Sequence, residues 1–116
     1  MSDRAEQWAA RAVDSRGVLA AGVLVAQKWI VSVRRDGFSQ TRAEEAFRRL
    51  EECVRVLQRG QMPVGRLRWT FEEGRIECIA PVAGGQGIAS LFVSKDLVRA
   101  ETVEQLFAEA ESFFHS

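Results

Sequence analysis

Apolar residues recur along the chain in two rhythms, and the alternation between them predicts eight short elements. Over residues 3–14, Ala5, Trp8, Ala9 and Ala12 fall three and four apart, the spacing that lines one side of a helix. Ser2 or Asp3 can cap its start, and Trp8 is its largest apolar anchor. Ser15-Arg16-Gly17 ends the pattern. Residues 18–25 are almost wholly apolar, which suits a strand covered on both sides. Gly22 in mid-strand predicts a bulge or the close approach of a packed helix. A short turn at Ala26-Gln27 leads to a second strand over 28–35, where Trp29, Ile30, Val31 and Val33 read as buried on both faces. Asp36-Gly37 then opens a loop.

The helical rhythm returns with Thr41-Arg42-Ala43-Glu44, which reads as a capping box. Ala43, Ala46, Phe47, Leu50, Cys53, Val54 and Leu57 form the apolar stripe. Glu44–Arg48, Glu45–Arg49 and Glu51–Arg55 are i,i+4 pairs in the favourable acid-first order. Gly60 is a ready left-handed terminator, and Pro63 blocks continuation. Arg42, Glu45, Arg49, Glu52 and Val56 lie together on the side away from Phe47, Leu50 and Val54.

Strands are predicted at 66–71 and 75–80, joined by the turn Glu72-Glu73-Gly74. In the first, Arg66, Arg68 and Thr70 share one face; Leu67, Trp69 and Phe71 share the other, expected to pack under a helix. Ala83-Gly84-Gly85-Gln86-Gly87 connects to a strand over 88–93. A second capping box, Thr102-Val103-Glu104-Gln105, opens a helix with Val103, Leu106, Phe107, Ala110, Phe113 and Phe114 on its stripe. The order helix, strand, strand, helix, strand, strand, strand, helix predicts one α+β domain over residues 1–116. Strands apolar on both sides need layers on both sides.

Composition narrows the function. At 116 residues the chain is long enough for one core and too short for two. With 47% apolar and 28% charged residues it has ordinary globular usage, and disorder is not expected. The formal net charge is zero, so the basic surplus of a nucleic-acid binder is missing. Lys28 and Lys95 are the only lysines among 16 basic residues, a skew that fits a GC-rich, bacterial genome. Cys53 and Cys78 stand apart at positions that read as buried, as in a reducing compartment. The first residues lack the apolar core of a signal peptide. The longest apolar run is about half a membrane span. A cytoplasmic protein with no membrane partner is expected.

Catalytic chemistry is hard to assemble from these residues. The single histidine is His115, beyond the last apolar anchor, and there is no tyrosine. The pairs Glu44-Glu45, Glu51-Glu52 and Glu72-Glu73 are adjacent in sequence; on a helix, neighbours diverge by about 100° and do not converge as an acid and base. The Gly-rich loop runs into a strand and has no Lys, unlike a phosphate-binding loop. No enzyme activity, cofactor or metal is expected. Arg66 and Arg68 suit either a solvated edge strand or a partner contact.

The element order, the Gly17-Val18-Leu19-Ala20-Ala21-Gly22-Val23-Leu24-Val25 strand after a Trp-bearing helix, and the Leu67-Arg68-Trp69-Thr70-Phe71-Glu72-Glu73-Gly74-Arg75-Ile76 segment resemble the roadblock/dynein-light-chain superfamily of profilin-like and longin-like domains. The resemblance covers nearly the whole chain. Where such domains often carry an Asp-Gly type of turn between the first two strands, this chain has Ala26-Gln27-Lys28. The resemblance implies a central five-stranded antiparallel sheet with the long helix on one face and the two terminal helices on the other. It also implies a non-enzymatic scaffold that dimerises through the long helix and the adjacent edge strand. Bacterial proteins of this kind partner small Ras-like GTPases.

On that basis the expected interface is Arg42, Glu45, Arg49, Glu52, Val56, Arg66 and Arg68 in a homodimer that scaffolds or regulates a small GTPase or other NTPase. A small-molecule or peptide-binding sensor and a secretion-type chaperone are the competing classes.

Overall fold

The computed structural model describes residues 2–34, 38–61, 65–72, 74–80, 87–94 and 98–114. Its elements are α1 (Ser2–Asp14), β1 (Val18–Val25), β2 (Lys28–Val33), α2 (Gln40–Arg59), β3 (Arg66–Thr70), β4 (Gly74–Ile79), β5 (Ile88–Ser94) and α3 (Ala100–Phe114). The five strands form one antiparallel sheet in the order β2-β1-β5-β4-β3. The chain leaves one sheet edge at β2, crosses by α2, and re-enters at the opposite edge with β3. The meander β3-β4-β5 then brings it back beside β1. This is the α+β class and the sheet expected from the sequence.

The helices α1 and α3 pack on one face, over Val18, Ala21, Val23, Ile79, Ala89, Leu91 and Val93. Trp8 is buried between them and donates from Nε1 to the Leu106 carbonyl at 2.7 Å, so the aromatic anchor of α1 also fastens it to α3. On the other face α2 lays Ala43, Phe47, Leu50 and Val54 over Ala20, Leu24, Ile76, Cys78 and Ile88. The small residue at Gly22 permits this approach. A Cβ there would stand 2.6 Å from Phe47 Cδ2 and 3.2 Å from Trp29, well inside contact distance. The β1 irregularity falls instead between Val18 and Ala20.

Several local expectations are corrected. The N-cap of α2 is Ser39, whose hydroxyl accepts from the Arg42 N–H; Thr41 already lies inside the first turn. Thr102 likewise lies within α3, which begins at Ala100. Gly60 closes α2 with φ −78°, and the left-handed residue is Gln61 at φ 60°. β2 is only half-buried because it is an edge strand with a single neighbour. Cys53 is half-buried, whereas Cys78 is fully buried, and burial pushes its thiol up to about 12. The largest correction concerns β3. Trp69 is 37% and Phe71 46% exposed, so their face is not roofed by a helix.

The turn joining β1 and β2 has two residues, Ala26 at φ 51° and Gln27 at φ 66°, between the register partners Val25 and Lys28. That is the backbone Asn-Gly or Asp-Gly ordinarily supplies in a tight hairpin. The geometry is therefore kept although the residues that favour it are absent.

Candidate interaction surface

A helix about 10 Å across cannot cover five strands spaced about 4.8 Å apart. Lying over β1, β2 and β5, α2 leaves a groove of about 560 Å³ on its β3 side. Arg42, Glu45 and Arg49 form the helical wall, Phe71 and Glu72 the opposite one, and Phe38, Ile76 and Phe92 the base. The Phe92 ring lies 4.8 Å from that of Phe38 and 6.1 Å from that of Phe71, centroid to centroid, so the groove is built around an aromatic cluster. Along α2 the same helical side continues through Glu52 to Val56, which is 59% exposed. Trp29, stacked 5.5 Å from Phe47, donates from Nε1 to Glu51 at 2.9 Å; Glu51 also receives Arg55 at 3.2 Å. These contacts hold the inner side of α2 and leave its outer stripe unengaged by the sheet.

Five of the residues singled out from the sequence, Arg42, Glu45, Arg49, Glu52 and Val56, thus share the exposed side of α2. Arg66 and Arg68 do not join them. They project from the opposite face of β3, towards α3, where Arg66 lies 4.9 Å over the Phe107 ring and grips Glu104 at 2.8–2.9 Å. Sequence reading missed Trp69 and Phe71 as exposed groups. The signal that would have revealed them is arithmetic: one helix on that face is too narrow for the whole sheet.

It also missed Glu77. This carboxylate is fully buried on β4, facing Leu91 of β5 and Arg68 of β3 in register. Its Oε1 accepts from Arg66 at 3.1 Å and from Arg68 at 3.1 and 3.2 Å; Oε2 accepts from Arg75 at 2.6 Å. Burial raises its pKa, but the bonds from Arg75 and Arg66 outweigh that and hold it below the usual glutamate value. The bidentate grip on Arg66 likewise lowers Glu104.

A cleft of about 660 Å³ between the end of α1 and β2 brings Asp14 and Arg34 to its lining, beside apolar Ala10, Val13 and Val33 and polar Ser32 and Gln40. Among the described residues no group of three or more His, Cys, Asp or Glu gathers as metal ligands would, and no helix is long and apolar enough to cross a membrane. Residues 83–86 of the Gly-rich loop and His115 lie outside the described residues. The chain matches no protein-family model and no curated protein sequence.

Proposed function

We propose that this protein is a non-enzymatic interaction module that pairs with a second copy of itself through α2 and β3, and that the pair scaffolds or regulates a small Ras-like GTPase or another NTPase. The observation that carries the pairing is the aromatic groove beside α2, flanked by exposed Trp69, Phe71 and Val56. Apolar groups on adjoining elements at a sheet edge mark a surface that association can cover.

Self-complementarity supports a second copy as the occupant, because a two-fold interface brings the same stripe against itself. Antiparallel pairing of α2 centred on Phe47 sets Arg42 against Glu52 of the second copy and Glu45 against its Arg49. The same register lays Val56 beside Phe38. The β3 edge is equally compatible. Phe71 donates to the Gly74 carbonyl and Ala80 to that of Gly65, so the odd-numbered residues bond inward to β4. The backbone groups of Arg66, Arg68 and Thr70 therefore face outward. Antiparallel pairing about Trp69 places Trp69 across from its copy, Leu67 across from Phe71, and Arg66 across from Glu72.

The partner class rests on the resemblance of the element order and of the 67–76 segment to roadblock domains. The groove's volume also falls within the range of about 300–1,000 Å³ typical of small-molecule sites, which favours a ligand-binding sensor as the second reading.

Sedimentation equilibrium tests the pairing. The wild type is expected to be dimeric at micromolar concentration. Glu45→Arg should dissociate it by like-charge juxtaposition, and Glu45→Arg with Arg49→Glu should restore it by exchanging the two signs. A monomeric wild type, or a single variant as tightly paired as wild type, rules the interface out. For the partner, a Ras-like GTPase should bind the dimer with different affinity in its GDP and GTP states; equal or absent binding removes that class.

A further inference from the structure

Of the arginine cluster on the α3 side of the β3–β4 hairpin, the pairing described above engages Arg66 and the backbone of β3, and it leaves the guanidinium groups of Arg68 and Arg75 unused. Three guanidinium groups, Arg66, Arg68 and Arg75, meet two carboxylates, Glu77 and Glu104. One positive charge is left in excess among the described residues. Arg66 is satisfied by both carboxylates. Arg75 donates only from Nε although its side chain is 19% exposed, and Arg68 donates from Nε and one terminal nitrogen. The remaining terminal N–H groups of Arg68 and Arg75 have no acceptor among the described residues, so the surplus charge and the free donors coincide.

A buried ion cluster is an expensive way to fill this position. Glu77 sits opposite Leu91 and two residues before Ile79, and an apolar side chain would close the sheet at no desolvation cost. What the carboxylate adds is orientation. By fixing the Nε edge of Arg75 and one edge of Arg68 inward, it turns their other edges to solvent and removes most of the rotamer freedom that binding would otherwise have to freeze. Planar guanidinium forks held in this way match the oxygens of phosphate.

The register sets Arg68 opposite Glu77 and Thr70 opposite Arg75, which makes Arg68 and Arg75 diagonal neighbours about 7–8 Å apart at Cα. Side chains converging from that separation can each take one phosphate of a linked pair. We infer that Arg68 and Arg75, braced by Glu77, form a binding site for the phosphates of a soluble diphosphate or triphosphate.

The test is a titration of the isotope-labelled full chain with inorganic pyrophosphate at low salt, following the arginine Nε–Hε resonances. Saturable shifts are expected at Arg68 and Arg75. Arg68→Lys and Arg75→Lys keep the charge but lose the fork, and each should weaken binding about tenfold. Arg11→Gln, on the exposed side of α1, should leave it unchanged. Absence of saturable shifts overturns the site, as do lysine variants that bind like wild type or an equal loss in Arg11→Gln. Pyrophosphate bound by a monomeric protein would leave this site standing while removing the pairing through α2.

Discussion

The two faces of the sheet are finished differently. Under α1 and α3 the sheet is dry across β1 and β5, and the buried charge on this face among the described residues, Glu77 of β4, is enclosed by three arginines. Under α2 the dry part ends before β3, and Trp69 and Phe71 meet solvent. Both outcomes follow from coverage. Five strands set about 4.8 Å apart place the outer two about 19 Å from each other, and each helix shields about 10 Å. Two helices nearly suffice, and the arginine stems roof what remains. One helix leaves a strip, and on that strip the exposed residues are aromatic. The face with less cover thus carries the surface we propose for association, while the better-covered face encloses its buried carboxylate among arginines.

The tryptophans give the sharpest way to break this comparison. Trp8→Ala, which removes a fully buried ring and a bond to Leu106, should cost about 3–5 kcal/mol by urea denaturation. Trp69→Ala should cost the protein below its association concentration less than about 1 kcal/mol, while weakening dimerisation. Equal costs for the two would mean that the second face is as closed as the first.

Glu77 tests the polar part of the covered face. Glu77→Gln leaves three arginines without their buried counter-charge and should cost about 3–5 kcal/mol at neutral pH. Because the folded carboxyl titrates below its unfolded value, its stabilisation is complete above about pH 5 and is lost as pH falls through the depressed folded pKa. The gap between wild type and Glu77→Gln in urea midpoint should therefore narrow on acidification. A gap that stays constant into the acid range would place the effect in packing rather than charge.

A small effect is expected at the β1–β2 turn, at the sheet edge remote from β3. Replacing Ala26-Gln27 by Asn-Gly should stabilise the protein by about 1 kcal/mol, since both positions already hold the left-handed backbone that Asn and Gly tolerate best. A lower thermal midpoint would show that the present side chains make contacts worth more than that strain.

Much of the architecture was legible before any coordinates. The stripes Ala5-Trp8-Ala9-Ala12 and Phe47-Leu50-Val54 place helices and their buried sides correctly, because the 3.6-residue repeat is a local property. Residues 18–25 likewise announce a doubly covered strand. The outer stripe of α2 was readable for the same reason, so Arg42, Glu45, Arg49, Glu52 and Val56 were found together. Helix starts were less legible. Ser39 and Thr41 are both competent caps two residues apart, and the fold uses Ser39.

For β3 the local pattern was insufficient. Its alternation separates Arg66 and Arg68 from Leu67, Trp69 and Phe71, but says nothing of which set meets a helix. Apolar residues were assigned inward by the usual rule, and that rule assumes a roof on the apolar side. Whether a roof exists depends on strand order and on how many helices reach each face, and both arise from contacts between residues far apart in sequence. The same holds for Glu77, whose counter-charges come from β3 and from two residues away on its own strand. The sequence by itself determined the elements and the inner side of each helix, because repeat period and side-chain chemistry act within a few residues. Only the tertiary structure decided which strand lies at the edge, which aromatic rings face water and which carboxylate is buried, because burial is a property of what the rest of the chain places overhead.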